Sequence, residues 1–236
     1  MKTLAIDIGG TGVKALLLDE SGGMLTERVR LETPRPATPD AVVGVIDQLV
    51  KQLGEFDRVS VGFPGVVIEG VIKTAVNLHP DWVDVPLATV LTKRFDKPTR
   101  VLNDAGVQGF GVIKGKGVEM LLSFGTGMGC GLYTDGHYVP NVELAHHPFR
   151  KEMTYEEYVG GVALDVIGKK RWNKRVRRVV ETVLPIFNPT RLYLGGGNAK
   201  HLKIELPPNV EIVSNVAGLL GGYRLWNDGN QAAGPP

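Results

Sequence analysis

Asp7 follows the apolar run TLAI and stands just before a turn made of Gly9, Gly10, Thr11 and Gly12; Gly125, Thr126 and Gly127 repeat that turn inside SFGTGMGCGLYTD, residues 123–135. In both places an apolar strand breaks at glycine and threonine, resumes and ends in an aspartate, which reads as strand, tight turn, strand. Glycine lets the backbone approach an anion closely and take positive φ, and consecutive free N–H groups in such a turn form an anion-binding concavity. Either turn alone is equally readable as an ordinary Gly-rich hairpin. Together they read as a duplicated phosphate cradle, holding a polyphosphorylated ligand between two lobes. A strand follows the glycines and no GK[ST] ending is present, so neither turn is a dinucleotide fingerprint or a Walker loop. A carboxylate among phosphates needs a hard cation between them, which makes Asp7 a candidate for Mg²⁺, through water; a turn aspartate bonded to nearby N–H groups is the plain alternative. Thr11 and Thr126 add hydroxyl donors, and Lys14 could reach a phosphate or face solvent.

The elements that must position these groups follow from periodicity. Residues 2–8, 13–19 and 24–32 read as a three-stranded antiparallel meander. Past the Pro-rich TPRPATP, apolar residues at Val42, Val43, Ile46, Leu49, Val50 and Leu53 mark a helix over 40–53, closed by Gly54. Residues 59–63 read as a buried strand, 64–73 as a loop with a short hairpin, 85–95 as a helix, and 99–102 as a strand that delivers Asn103 and Asp104 to its C-terminal end. After a helical stretch at 105–115 the pattern restarts. Strands at 119–124 and 130–133 flank the second turn, with a third beginning at 134–136. Helices are expected at 155–169 and 171–187, strands at 191–194 and 210–213, and a closing helix over 216–226 before a frayed tail, DGNQAAGPP. The expected lobes are 1–108 and 109–236, the last helix packing back on the first lobe.

With 43% hydrophobic and 22% charged residues, the 236-residue chain can fill packed cores, which excludes wholesale disorder. Its longest apolar runs are strand-length, so no membrane segment is expected, and the first strand begins without a leader, which points to the cytoplasm. Cys130 is the single cysteine, leaving no internal disulfide and no zinc cluster. The formal net charge is only +2, yet KKRWNKRVRR over 169–178 concentrates positive charge. Without a reading motif beside it, this run is a solvated face or a path for an anionic chain, and no nucleic-acid partner is expected.

Four segments in order, DIGGTGVK, VLNDA, FGTGMG and LYLGGGNAKHL, resemble the first phosphate motif, catalytic strand end, second phosphate motif and adenosine-side motif of the ROK family of sugar kinases, within the actin, Hsp70 and hexokinase superfamily. The match covers nearly the whole chain. GFPG over 62–65, NLHPDW from Asn77 and ELAHHP from Glu143 resemble the family's sugar-contacting segments. The short length, TYEEYVGGVALDVIGKKRWNKRV and FNPTRLYLGGGNAKHL are most similar to the polyphosphate glucokinase branch.

That resemblance implies an α/β, two-lobed, ribonuclease H-like fold with a central cleft. It makes Asp104 the general base, although its residue type alone equally suits a helix cap, NDA being good N-cap sequence. It places glucose against Gly65, where the ring would lie close to backbone, and against Asn77, Asn103, Asp104, Glu143, His146 and Glu156. Glu157 rivals Glu156 when YEEYVGG is aligned with the family's LEAYASG, and His146 has His147 beside it. Gly195, Gly196, Gly197 and Asn198 fall on the donor side, before a helical NAKHL whose N-terminus would face an anion or a nucleotide. Lys169, Lys170, Arg171, Lys174, Arg175, Arg177 and Arg178 are candidates for a polyphosphate path, of which helical spacing lets only a subset contribute. Many ROK members carry a zinc site with a cysteine cluster; this chain has no cysteine between Glu143 and Glu156, so no zinc is expected. A DNA-binding extension is not expected either, since the phosphate strand begins at residue 3. The implied activity is transfer of a terminal phosphoryl group from polyphosphate, ATP, or both, to the 6-hydroxyl of glucose with Mg²⁺, by a homodimer. An ATP-dependent kinase for glucose or another hexose, and a sugar sensor without chemistry, are the alternatives.

Overall fold

The structure, a computed structural model, describes residues 1–213 and 217–227. Among these the chain divides into two compact units, one of residues 1–111 and 217–227, the other of 112–213.

The first unit opens with the expected meander, β1 (Thr3–Ile8), β2 (Val13–Leu18) and β3 (Val29–Leu31). β3 is shorter than anticipated because only Val29–Leu31 pairs with β2; the chain before it contributes a single bridge, Leu18 to Met24. α1 (Pro39–Val50) starts where Thr38 caps it through Ala41 N–H, with proline at its first position, where no hydrogen bond is forfeited. Its buried stripe is Val42, Val43, Ile46 and Leu49. Then come β4 (Arg58–Phe63), a small hairpin of β5 (Val67–Ile68) and β6 (Val71–Ile72), α2 (Leu87–Phe95), β7 (Thr99–Asn103) and α3 (Asp104–Phe110). The sheet order is β3-β2-β1-β4-β7, antiparallel among the first three and parallel from β1 to β4 to β7. α3 ends five residues before the expected 115.

The second unit repeats the plan. β8 (Val118–Phe124), β9 (Met128–Thr134) and β10 (His137–Val139) form a second antiparallel meander. A hairpin, β11 (Pro148–Arg150) and β12 (Met153–Thr154), leads into α4 (Tyr155–Val159) and α5 (Gly161–Phe187), and β13 (Arg191–Gly195) and β14 (Val210–Ile212) complete the sheet in parallel. Its order, β10-β9-β8-β13-β14, matches that of the first sheet position by position. The helices divide differently from the expectation of a break near residue 170. Gly160 separates α4 from α5, since a Cβ there would lie 2.8 Å from Glu156 O, and Gly168, at φ 73°, breaks α5 in a region open to glycine. Val176, Val179, Val180 and Val183 of α5 are buried with Trp172, whose ring meets Phe124 edge-on at 5.7 Å.

The last described segment returns to the first unit as α6 (Ala217–Leu220) and a 3-10 stretch, Gly221–Trp226, instead of one helix over 216–226. The glycine pair permits contact no other residue could make: a Cβ on Gly221 would lie 1.9 Å from Val107 O. Leu219 joins Ala5, Leu16 and Leu18 in a cluster. Ser60 Oγ donates to Gly222 O at 2.7 Å and accepts from Trp226 Nε1 at 2.8 Å, while Arg58 and Arg100 lie over the Trp226 ring. Val216 and the tail DGNQAAGPP lie outside the described residues.

Candidate active site

In the first unit, β1 and β2 join through the turn whose Gly9 N–H donates to Gly12 O at 3.1 Å. Gly9, Gly10, Gly12, Gly125 and Gly127 all keep negative or extended φ, so left-handed backbone is not why glycine occupies these turns. At Gly10 and Gly12 the neighbours are close: a Cβ on Gly10 would lie 3.3 Å from Asn77 O, and one on Gly12 2.5 Å from Arg30 Nε. Arg30 also donates to Thr11 O at 2.8 Å, and Thr33 Oγ1 donates to Gly9 O. Neither bracing residue stands out in the sequence; the β2–β3 register, with Arg30 opposite Lys14, brings Arg30 to the turn. Thr11 is exposed at the tip, and Asn77, also exposed, borders Gly10.

Asp7 and Lys14 are cross-strand partners, with Lys14 Nζ 2.7 Å from Asp7 Oδ2, so the lysine is held over the carboxylate. No group of three or more His, Cys, Asp or Glu able to hold a metal occurs among the described residues. The single carboxylate of Asp7 beside a Gly/Thr turn is a donor set compatible with Mg²⁺, which takes one or two carboxylates and fills its shell with phosphate oxygens and water.

β7 ends in Asn103, which is buried and caps α3: its Oδ1 accepts from Ala105 N–H at 3.0 Å and Gly106 N–H at 3.2 Å, and its Nδ2 donates to Gly65 O at 3.1 Å. The capping role open to Asp104 in the sequence is therefore filled by its neighbour. Asp104 stands at the first position of the helix, partly exposed, with Oδ1 accepting from Ala105 N–H at 2.7 Å. Gly62 lets the helix start come close, a Cβ there lying 3.3 Å from Asp104 Cα. At Gly65 the space of a Cβ is taken by Thr74 O, at 2.1 Å, so no larger residue fits.

In the second unit, Gly125 N–H donates to Gly127 O at 3.0 Å, and a Cβ on Gly125 would meet only open space. Thr126 is exposed and its carbonyl accepts from Gly161 N–H at 2.9 Å, so α5 begins on this turn. Glu156 Oε2 accepts from Met128 N–H at 3.0 Å and would lie 2.0 Å from a Cβ on Gly127. Glu157 instead closes a capping box with Thr154, away from the turn, so of the two candidates Glu156 meets the cradle. Glu143 and His146 flank a short 3-10 turn, Nε2 to Oε2 being 3.7 Å. Burial pushes the Glu143 carboxyl up, His146 opposes this, and the Glu156 charge adds to it.

After β13, Asn198 braces the turn at 125–127: Nδ2 donates to Gly125 O and its N–H to Phe124 O, both at 2.9 Å. Gly196, at φ 86°, has the Phe124 backbone where a Cβ would be; Gly195 is buried and Gly197 exposed. The expected helix over NAKHL is one 3-10 turn, Ala199–His201, too short to present a helix N-terminus to an anion. It stops because buried Asn173 claims the backbone beyond it: Nδ2 donates to His201 O at 2.9 Å and Oδ1 accepts from Lys203 N–H at 2.6 Å. Of the basic run, Lys169, Lys170, Lys174 and Arg177 line a groove with residues 200–205. Arg175 instead stacks on Tyr158 at 4.5 Å and donates to its carbonyl, and Arg178 faces Glu181.

Two sheets of identical order, each opened by a Gly/Thr turn, define an α/β protein of the actin and hexokinase-like fold. The chain belongs to the ROK family, whose model matches residues 3–142. It is 31% identical over 236 residues to the polyphosphate glucokinase of Mycobacterium tuberculosis (strain ATCC 25618 / H37Rv), covering 92% of this chain and 88% of that one. The glucokinase of Streptomyces coelicolor is 29% identical over 226 residues, 86% of this chain and 68% of its own length. The solved inorganic polyphosphate/ATP-glucomannokinase of Arthrobacter sp. strain KM superposes with a TM-score of 0.85 at 30% identity, covering 94% of this chain and 97% of that one. No helix among the described residues is long and apolar enough to cross a membrane.

Proposed function

We propose that the chain is a glucose kinase that takes the terminal phosphoryl group of inorganic polyphosphate, with ATP as a second donor, and transfers it to the 6-hydroxyl of glucose. The observation that carries this reading is the near full-length likeness to kinases named for polyphosphate and glucose, combined with an acid, Asp104, at the first position of α3, whose N-cap is Asn103. In the step itself the glucose O6 forms a bond to the terminal phosphorus while the bond from phosphorus to its bridging oxygen breaks. The leaving group is polyphosphate shorter by one unit, and Asp104 accepts the hydroxyl proton. The turns at 9–12 and 125–127 offer backbone N–H groups to phosphate oxygens. Asn77 and Asn103 in the first unit, and Glu143, His146 and Glu156 in the second, are assigned to sugar hydroxyls, each of which needs a partner once water leaves. Mg²⁺, held through water by Asp7, would neutralise charge on the transferring phosphoryl group.

A panel of donors and acceptors with the purified protein tests the reading. Glucose 6-phosphate should form from glucose with polyphosphate, and more slowly with ATP. Turnover with ATP alone would replace it by the ATP-dependent kinase, and glucose-dependent thermal stabilisation without turnover on any donor by the sensor.

Glu143 supplies a second check. A carboxyl raised in the folded state loses stability as pH climbs through that raised value, since ionisation is easier in the unfolded chain. Glu143→Gln should therefore melt no lower than the parent at neutral pH, with a flatter dependence of Tm on pH just above the ordinary carboxyl range, while its KM for glucose rises. A lower Tm at neutral pH would mean that the Glu143 charge supports the fold.

A further inference from the structure

The second unit contains a groove of about 730 Å³ between α5 and residues 200–205. Lys169, Lys170, Lys174 and Arg177 line one wall, Lys200 and Lys203 the other, against one lining carboxylate, that of Glu205. Arg177 pairs with Glu181, but none of the five lysines forms an ion pair with a carboxylate among the described residues. The break at Gly168 makes the helix restart at Lys169, which puts Lys169, Lys170 and Arg171 in a first turn. Cations there oppose the positive end of the helix dipole, an arrangement that an anion relieves. His201, between the walls, is held below its ordinary range by burial first and then by Lys169 and Lys200.

The groove is also built in advance. Asn173, 8% exposed, donates to Lys169 O at 2.8 Å and to His201 O, and accepts from Lys203 N–H, so one side chain joins the two walls. Lys170, Lys174 and Arg177 fall at spacings of four and three on one helix face, a row about 10 Å long at the rise of an α-helix. A row of that length suits several phosphates in line better than one. No Phe, Tyr or Trp lines the groove; the His201 imidazole is the one ring there, and Ile204 the one apolar side chain. An adenine ring would find no broad apolar face there, and a single-stranded nucleic acid only one imidazole, not the run of rings on which successive bases stack.

We infer that this groove docks the phosphates of a linear polyphosphate chain that lie beyond the one being transferred. The inference rests on the proposed donor and adds where the remainder of that donor lies. Its consequence is a preference for long chains over short ones, because a tripolyphosphate has few such phosphates to offer.

Direct binding and kinetics test it together. In calorimetry at physiological salt, long-chain polyphosphate should bind more tightly than tripolyphosphate or single-stranded RNA. Combining Lys170→Gln, Lys174→Gln and Lys203→Gln should raise the ratio of KM for long-chain polyphosphate to KM for tripolyphosphate by about tenfold, as three exposed ion contacts would. A protein with Lys2→Gln, Lys51→Gln and Lys93→Gln carries the same change in net charge on exposed residues of the first unit and should leave that ratio unmoved. Equal affinity for long and short chains, tighter binding of RNA, or the same ratio change in both triple variants would overturn the groove assignment. Tight, groove-dependent binding of long polyphosphate without glucose phosphorylation would retain the groove and defeat the donor reading, so the two fail separately.

Discussion

Asp104→Asn protein should bind glucose in a calorimeter much as the parent does, yet turn over roughly 10²- to 10⁴-fold more slowly, the usual worth of a positioned general base. The substitution is close to isosteric, and the cap of α3 does not depend on it, because Asn103 satisfies the Ala105 and Gly106 N–H groups. What changes is the capacity to accept a proton. A kcat within a few-fold of the parent would remove Asp104 from its role, and lost glucose binding would instead mark it as a sugar contact. Asn103→Ala makes the contrast: it exposes the helix start and frees Gly65 O, so it should lower stability by about 1 kcal/mol, as loss of an N-cap does.

The largest expected effect on stability lies at Glu119, a carboxylate with no solvent exposure. Lys114, Gly115 and Lys116 donate backbone N–H groups to it at 2.8, 2.6 and 3.2 Å, and Tyr193 donates its hydroxyl at 2.7 Å. Burial alone would raise this carboxyl, but the bonds from Lys114, Tyr193, Gly115 and Lys116 outweigh it and hold the group below the ordinary glutamate range. Glu119→Ala leaves three amides and a phenol without their acceptor and should cost about 3 to 5 kcal/mol, read as a lower midpoint in urea. Tyr193→Phe removes one of the four bonds and should cost about 1 kcal/mol. A depressed carboxyl contributes stability above its unfolded pKa and loses it as pH falls through the folded value, so the parent's urea midpoint should drop below about pH 4 more steeply than that of Glu119→Gln. An unchanged midpoint in Glu119→Ala would show that solvent replaces these bonds without cost.

The two meanders were legible because their pattern is local: strand, Gly/Thr turn and strand need no distant partner to be read. The cap at Asn103 was legible as a motif but attached to the wrong residue, since NDA fits a helix beginning one position earlier or later. What sequence could not carry was anything decided by register or by residues far apart. Arg30 reaches the first turn through a strand pairing, Asn198 braces the second across 73 positions, and Asn173 gathers groups from 28 and 30 positions away. The turn glycines keep ordinary φ, and at Gly10 and Gly127 what crowds a side chain is Asn77 and Glu156, residues remote in the sequence. Likewise the break in α5 fell at Gly168, which a count of apolar spacing passes over in favour of the charge run that follows.

The thread from Gly221 to Trp226 has a consequence for synthesis. Ser60 and Arg100 take partners from residues made more than a hundred positions later, so the first half of the chain is synthesised before part of the face that α3 shares with Gly221–Trp226 can be covered. The half translated second is continuous in sequence and closes on its own residues, and the half translated first is completed last.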